Sequence, residues 1–454
     1  MKRWGFSMGL RGTMGINERG HLEIGGCDVV DLAARFGTPL YVFDEELIRE
    51  QCRTYQGAFA RHYPKGRTIY AGKAFLTIAM CRLIAEEGLY LDVVSGGELY
   101  TALAAGFPKE RIYFHGNNKS REELVMALQA GIGCIVVDNC FELAVLDRLC
   151  ERLSCQVDIL LRVTPGVEAH THTYIQTGQL DSKFGFPLAQ GIAREAVRKA
   201  LEARNLNLRG LHCHIGSQIF DLESFGVTVA ILFHFLDEIR DELGWTAEEL
   251  NLGGGLGIKY NRDDSPVSPE EYIAYLARVV RENAGRSRLD LPLIGVEPGR
   301  SIVGEAGTTL YRVGAIKDLP GIRKYITVDG GMGDNPRVAL YQAAYEAMVA
   351  NKANRNKTQL VSVAGKCCES GDMLIWDLET PHVVPGDLLA VLCTGAYTYS
   401  MASNYNRLPR PAAVFAYRGS ADLVVRRETY EMLIANDVLP PRLQGLEVRS
   451  VEQA

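Results

Sequence analysis

Between residues 68 and 297 the chain alternates short apolar runs with longer amphipathic stretches. The runs fall at 68–71, 90–94, 111–115, 133–137, 157–163, 208–215, 249–252 and 292–296. Each is rich in β-branched and aliphatic residues and too short for a stable helix, so each reads as a buried strand. The stretches 75–87, 120–130 and 141–153 repeat their apolar positions at helical spacing. Ser120 and Glu123 form a capping-box pattern ahead of one such face. Strand–helix alternation predicts parallel pairing with right-handed crossovers. Eight such units predict an α/β fold, a (β/α)8 TIM-type barrel, with an open doubly wound sheet as the alternative.

Beyond about residue 305 the helical spacing fades. Runs at 308–316, 325–329, 360–363, 387–392, 412–417 and 423–426 predict a mostly antiparallel β unit. The N-terminus reads as a hairpin over 15–24 and a helix over 29–36, stopped by Gly37. Those residues cannot join the barrel's alternation. The expected organisation is therefore a barrel over 41–304, with residues 1–40 and 305–454 forming one sandwich-like or barrel-like β domain that completes the site.

Composition narrows the class. With 454 residues and 47% hydrophobic content the chain has enough apolar surface for two or three domains. A net charge of −6, with no basic block, argues against a nucleic-acid partner. Eleven scattered cysteines without a CxxC pair suit reduced thiols. Met1-Lys2-Arg3-Trp4-Gly5-Phe6 has no leader-like apolar core and no long apolar run follows, so a cytoplasmic enzyme without a membrane partner is expected.

Barrel enzymes carry their chemistry at the C-terminal ends of the strands. Lys73 follows strand one, where burial would depress an amine's pKa and free its lone pair. Strand two contains Asp92, strand three ends at His115 and strand five carries Arg162. Strand six ends in His212-Cys213-His214-Ile215-Gly216-Ser217, strand seven in Gly253-Gly254-Gly255, and strand eight in Glu297-Pro298-Gly299-Arg300. Backbone without side chains lets consecutive N–H groups approach a phosphate. A carboxylate such as Glu297 suits a protonated ring nitrogen. His212 and His214 also form an H-x-H pair, which keeps open a metal-dependent barrel hydrolase with His115, His170, His172 or Asp92 as further ligands. Lysine, glycine loop, histidine and glutamate together match the needs of pyridoxal phosphate (PLP): a covalent anchor, a phosphate cradle, a ring to stack and a partner for the pyridine nitrogen.

These motifs resemble the diaminopimelate decarboxylase family of barrel-type PLP enzymes. The likeness runs through Tyr70-Ala71-Gly72-Lys73-Ala74, Leu91-Asp92-Val93-Val94-Ser95-Gly96-Gly97-Glu98, Asp181-Ser182-Lys183-Phe184-Gly185-Phe186 and His212 to Gln218. It continues through Gly253 to Gly255, Glu297 to Val303, Cys368-Glu369-Ser370-Gly371-Asp372, Gly395-Ala396-Tyr397 and Ser403-Asn404-Tyr405-Asn406. The resemblance implies decarboxylation of meso-2,6-diaminopimelate to L-lysine and CO2, the last step of lysine synthesis.

It also implies roles. Lys73 would be the Schiff-base lysine, with Asp92 nearby, and His214 would stack on the ring. Glu297 would pair with the ring nitrogen. Ser217, Gly253, Gly254, Gly255, Gly299 and Arg300 would hold the phosphate side, and Tyr397 would close over the cofactor. Arg300, Arg337 and Tyr341 would grip the substrate's distal carboxylate, and Glu369 its distal ammonium. Cys368 would donate a proton near the reacting carbon. In the family Cys368 and Glu369 come from the partner subunit, which implies a homodimer. Phe75, Lys366-Cys367 and Asp334-Asn335-Pro336-Arg337-Val338 depart from the usual family pattern. A decarboxylase of another diamino acid or of a carboxylated polyamine, and a non-enzymatic PLP-binding barrel, are the alternatives nearest to this reading.

Overall fold

The computed structural model describes residues 9–167 and 182–443. Met1 to Phe6, His170, His172 and Asp181 lie outside the described residues.

Eight strands close a parallel barrel: Gly66–Ala71, Tyr90–Val93, Ile112–Phe114, Cys134–Val137, Val157–Thr164, Leu206–His212, Glu249–Asn251 and Leu293–Val296. Each pairs in parallel with the next, and the last pairs back onto the first. The open-sheet alternative is thereby excluded. Most strand residues are apolar on both faces because both are covered, with Asp92, Arg162, Glu249 and Asn251 among the exceptions. Ile69, Tyr113, Cys134, Val136 and Leu160 form one cluster. Their neighbours Tyr70, Leu91, Ile135, Ile159 and Leu161 pack into the core shared with the surrounding helices.

The helices follow their sequence signals, with one difference. Ser120 and Glu123 form the reciprocal capping box, and Arg121–Ala130 ends at Gly131 in the left-handed region. The first crossover helix, however, begins at Ile78 rather than near 75. Gly72–Ala74 is a short turn instead, and Thr77 caps the helix by accepting the Met80 N–H. Phe75 is buried and stacks on Phe43 with ring centroids 4.2 Å apart. The family departure at this position thus packs the barrel against the second sheet.

That second sheet runs Met373–Thr380, Gln359–Ala364, Arg323–Val328, Gly307–Leu319, Leu40–Asp44, Ala412–Tyr417, Ser420–Val425. Leu388–Val391 and Ala347–Val349 extend it on one side. Most pairings are antiparallel, but Arg323–Val328 with Gln359–Ala364, and Leu40–Asp44 with Ala412–Tyr417, are parallel. Three of these strands are not legible in the sequence: Leu40–Asp44, Ala347–Val349 and Met373–Thr380. Leu40–Asp44 is buried throughout and central in the sheet. A border at residue 41 assigns it to the barrel, whereas its pairing partners are Gly307–Leu319 and Ala412–Tyr417. A uniformly apolar run carries no mark of which sheet will cover it.

The N-terminal strands Gly15–Ile16, Leu22–Ile24 and Cys27–Asp28 form a small sheet of their own. Helix Val29–Phe36 follows, with Asp28 accepting the Val30 N–H and Gly37 at φ 73° ending it. Leu22, Ile24, Val29 and Leu32 bury themselves against Leu40, Val42, Leu310 and Val414 of the second sheet. Among the described residues no helix is long and apolar enough to cross a membrane.

Candidate active site

The C-terminal ends of the barrel strands and the second sheet enclose a cavity of about 670 Å³. Lys73, His214, Ser217, Gly254, Gly255, Glu297, Gly299, Arg300, Arg337, Tyr341 and Tyr397 all line it.

Lys73 projects from the turn after the first strand, and its Nζ lies 3.4 Å from Asp92 Oδ2. Burial works against the ammonium, but Asp92, with Tyr397 and Glu297 behind it, outweighs burial and raises the pKa. The expectation of a depressed amine is therefore corrected. The strand that follows brings a carboxylate to the lysine, and the charge pair wins over desolvation.

Glu297 is buried at the end of strand eight. Its Oε1 accepts from Asn251 Nδ2 at 2.8 Å and stands 3.0 Å from His115 Nε2, while Oε2 stands 3.2 Å from His212 Nε2. Burial pushes its pKa up, yet His115 and His212 more than offset this and hold it well below the usual range. Burial pulls the His212 imidazole down to about 4 against the pull of Glu297. The arrangement is an ionised carboxylate beside a neutral His212 ring. Asn251 was not foreseen. Its signal is a lone amide, fully buried, closing the short strand Glu249-Leu250-Asn251.

His214 does not share the position of His212. Its Nδ1 accepts the Gly254 N–H at 3.2 Å, which leaves the ring's own N–H at Nε2. Burial, then Lys73 and Arg162, hold its pKa well below the usual value, so it is neutral too. The metal pairing of His212 with His214 is thus not the one formed. Among the described residues the group close enough to share a cation is His115, His212 and Glu297, and His214 is not in it.

The glycine loop is built from close backbone contacts. A Cβ at Gly254 would stand 2.2 Å from the Glu297 carbonyl oxygen, and one at Gly255, φ +119°, 2.6 Å from that of Gly216. Any side chain would drive the ends of strands six, seven and eight apart and fill the cradle. Gly253 is turned inward, its N–H donating to Asn251 Oδ1 at 3.0 Å. Ser217 accepts from Arg300 Nη2 at 2.9 Å beside this loop.

Arg300 and Arg337 are both buried, and neither forms an ion pair with a carboxylate among the described residues. Arg300 Nη1 donates to Tyr260 Oη at 2.5 Å, and Arg337 Nη1 to Tyr345 Oη at 2.6 Å. The Arg337 guanidinium lies 4.9 Å from the Tyr260 ring centre, and Tyr260 meets Tyr345 edge-on at 5.5 Å. Burial opposes the Arg337 charge, but Tyr260 and Tyr345 outweigh it and raise its pKa. Tyr260 and Tyr345 were not foreseen, since tyrosines far from any strand end carry no sequence mark. Two buried cations compensated by phenols and ring faces form a receptor for an anion supplied from outside.

Arg337 and Tyr341 open and close the helix Arg337–Tyr341, so their spacing of four puts both on the cavity side. Tyr397 sits in the left-handed region at φ 60°, its N–H donating to Ala74 O at 2.9 Å, and its ring lies 4.9 Å from the Arg300 guanidinium. Such a conformation costs a non-glycine residue about 1–3 kcal/mol. Here the bond to the Lys73 turn holds it.

Cys368 and Glu369 are not brought to this cavity. Both are exposed on a loop of the second sheet, where Cys368 N–H donates to Asn406 Oδ1 at 2.7 Å.

A closed barrel with a lysine, an ionised glutamate and a side-chain-free cradle at one mouth is the architecture of a PLP enzyme of the barrel type. The pyridoxal-binding-domain model of the pyridoxal-dependent decarboxylases matches residues 45–304. The chain is 58% identical over 431 residues to a diaminopimelate decarboxylase of Bacillus subtilis, covering 95% of this chain and 98% of that protein. It is 48% identical to one from Staphylococcus aureus, covering 94% and 99%. The crystal structure of diaminopimelate decarboxylase from M. jannaschii in complex with L-lysine superposes with a TM-score of 0.89 at 38% identity, covering 95% and 99%. The chain belongs to the diaminopimelate decarboxylase family, PLP-dependent carboxy-lyases.

Proposed function

We propose that the protein decarboxylates meso-2,6-diaminopimelate to L-lysine and CO2 with PLP as cofactor, in the cytoplasm, as a homodimer with shared active sites. The observation that carries the choice of substrate is the pair Arg300 and Arg337. Both are buried in the cavity of Lys73 without a carboxylate partner among the described residues. A substrate with a second carboxylate satisfies them. Lysine, ornithine and arginine would leave them unpaired in a buried site, which rejects such molecules strongly.

The residues fit the cofactor. The Gly254–Gly255 cradle excludes any Cβ, and the buried Arg300 Nε has no hydrogen-bond partner. When bound, PLP supplies an electron sink for the bonding pair released as CO2 departs. Lys73 is the covalent anchor, with Asp92 orienting its amine. Glu297, kept ionised by its neighbours, holds a proton on the ring nitrogen. The neutral His214 ring offers an uncharged face to stack. Ser217, Gly254, Gly255, Gly299 and Arg300 bind the phosphate side, and Gly253 shapes their loop through Asn251. Tyr397 closes over the bound ring. Arg337 and Tyr341, with Arg300, take the distal carboxylate. Glu369 of the partner subunit takes the distal ammonium, and Cys368 of the partner subunit delivers a proton near the reacting carbon. The exposure of Cys368 and Glu369, away from their own chain's cavity, supports this sharing.

Purified protein offered meso-diaminopimelate, lysine, ornithine and arginine should release CO2 from the first alone. Equal turnover of lysine or ornithine would refute the reading, and a colourless protein holding stoichiometric zinc would refute PLP itself. Tyr260→Phe keeps the ring under Arg337 and removes the oxygen that Arg300 donates to. It should raise KM for diaminopimelate about tenfold, the worth of one hydrogen bond to a charged group, with kcat little changed. An unaltered KM would show that the phenol does not set the arginine spacing.

A further inference from the structure

Asp372 lies outside the cavity and is 3% exposed. Its carboxylate accepts backbone N–H groups from two different loops, Oδ1 from Met332 and Oδ2 from Cys367, each at 2.7 Å. Among the described residues no lysine or arginine forms an ion pair with it. The Cys367 thiol hydrogen-bonds it as well. A buried carboxylate held by N–H and S–H donors rather than by a cation takes its position from them and imposes that position on them in return.

The two loops have different destinations. Residues 330–336 make a tight turn, in which Gly331 N–H donates to Asp334 Oδ1 at 3.0 Å and Asn335 N–H to Gly331 O at 2.9 Å. That turn leads directly into Arg337, which lines this chain's own cavity. Residues 365–371 carry Cys368 and Glu369, which do not. Lys366 N–H donates to Gly330 O at 2.9 Å and joins the loops a second time. Glycine is required on both sides of the carboxylate. A Cβ at Gly331 would stand 2.5 Å from the Asp372 oxygens, and one at Gly365 2.2 Å. The two loops are packed as closely on Asp372 as backbone allows.

We propose that Asp372 is a positioning residue that ties the arginine-bearing loop of one active site to the cysteine-bearing loop the same chain lends to the other, so that one carboxylate sets geometry in both sites of a dimer. The proposal rests on the shared-site reading above. A diamino diacid of fixed length must meet Arg337 at one end and Cys368 of the partner subunit near the other. Both loops must therefore hold their place together, and the buried carboxylate is what joins them.

The test uses mixed dimers of holoenzyme, co-expressed with two different tags. A Lys73→Ala chain paired with a Cys368→Ala chain retains one working site, which takes its lysine and arginines from the second chain and its thiol from the first. Asp372→Ala on the first chain should lower kcat about tenfold with KM little changed. On the second chain it should raise KM for diaminopimelate about tenfold, the scale of one charge-assisted hydrogen bond. Asn406→Ala removes the acceptor of the Cys368 N–H on the cysteine-bearing loop and should lower kcat from the first chain alone. Cofactor absorbance and dimer size report folding. If the alanine variant does not fold, Asp372→Asn keeps the shape with a single acceptor oxygen and should give the same two-sided pattern at smaller size. An unsubstituted mixture without activity overturns shared sites and the proposal with them. A working mixture in which Asp372 variants act from one chain only, or from neither, overturns the proposal alone.

Discussion

Lys73→Ala is expected to abolish decarboxylation, by at least roughly 10³-fold, and to remove the cofactor that borohydride traps on the protein. Lys73 is the one lysine that lines the cavity among the described residues. The nearby buried Lys119 is committed elsewhere, donating to Gly116 O at 2.7 Å and Val136 O at 2.9 Å and pairing with Glu142 at 2.7 Å. Without Lys73 the cradle and Glu297 still offer non-covalent binding, so the variant should take up PLP weakly and release it on dialysis. Mass analysis of peptides after reduction gives the answer. Cofactor trapped on any other lysine would show that Lys73 is not the anchor. The raised pKa of Lys73 beside Asp92 describes the cofactor-free amine. It predicts that PLP reloads the apoenzyme faster as pH rises, because the free amine is the attacking form.

Arg337→Ala should raise KM for diaminopimelate roughly 10²- to 10³-fold, the cost of truncating one side of a buried charge pair. The affinity for PLP should change far less, because Arg337 is held by Tyr345 and Tyr260 rather than by the glycine cradle. Steady-state kinetics and a PLP titration of the same preparation separate the two. An unchanged KM would place the distal carboxylate elsewhere in the cavity. Arg337→Lys should recover little. A single ammonium cannot donate to Tyr345 and a carboxylate from one plane while lying over the Tyr260 ring.

The barrel was legible because its signal is local and repeated. Apolar runs of strand length alternated with helix-length amphipathic stretches, and Ser120 with Glu123 or Gly37 after Phe36 marked individual ends. The second sheet was legible only where its strands alternated or stood beside turns. Leu40–Asp44 was lost to the barrel range because a central strand buried on both faces looks the same in either sheet. The helix expected from Phe75 began at Ile78, since Phe75 is called to Phe43 across the domain contact, a partner 32 positions earlier in the chain.

The site divides along the same line. The sequence by itself determined which chemistry-bearing side chains stand at strand ends: Lys73, Asp92, His115, His212, His214, the glycine run, Glu297 and Arg300. A parallel barrel sends every such end to one mouth, so position along the chain is enough to gather them. Only the tertiary structure decided their states and partners. It gave Lys73 the carboxylate of Asp92 and made its pKa rise rather than fall. It turned His212 onto Glu297 and His214 onto Gly254, which separates the two histidines that a metal would need together. It set Tyr260 between Arg300 and Arg337, and it left Cys368 and Glu369 outside their own chain's cavity. Charge state, hydrogen-bond partner and burial depend on atoms brought from distant parts of the chain, and no local pattern of residues encodes that distance.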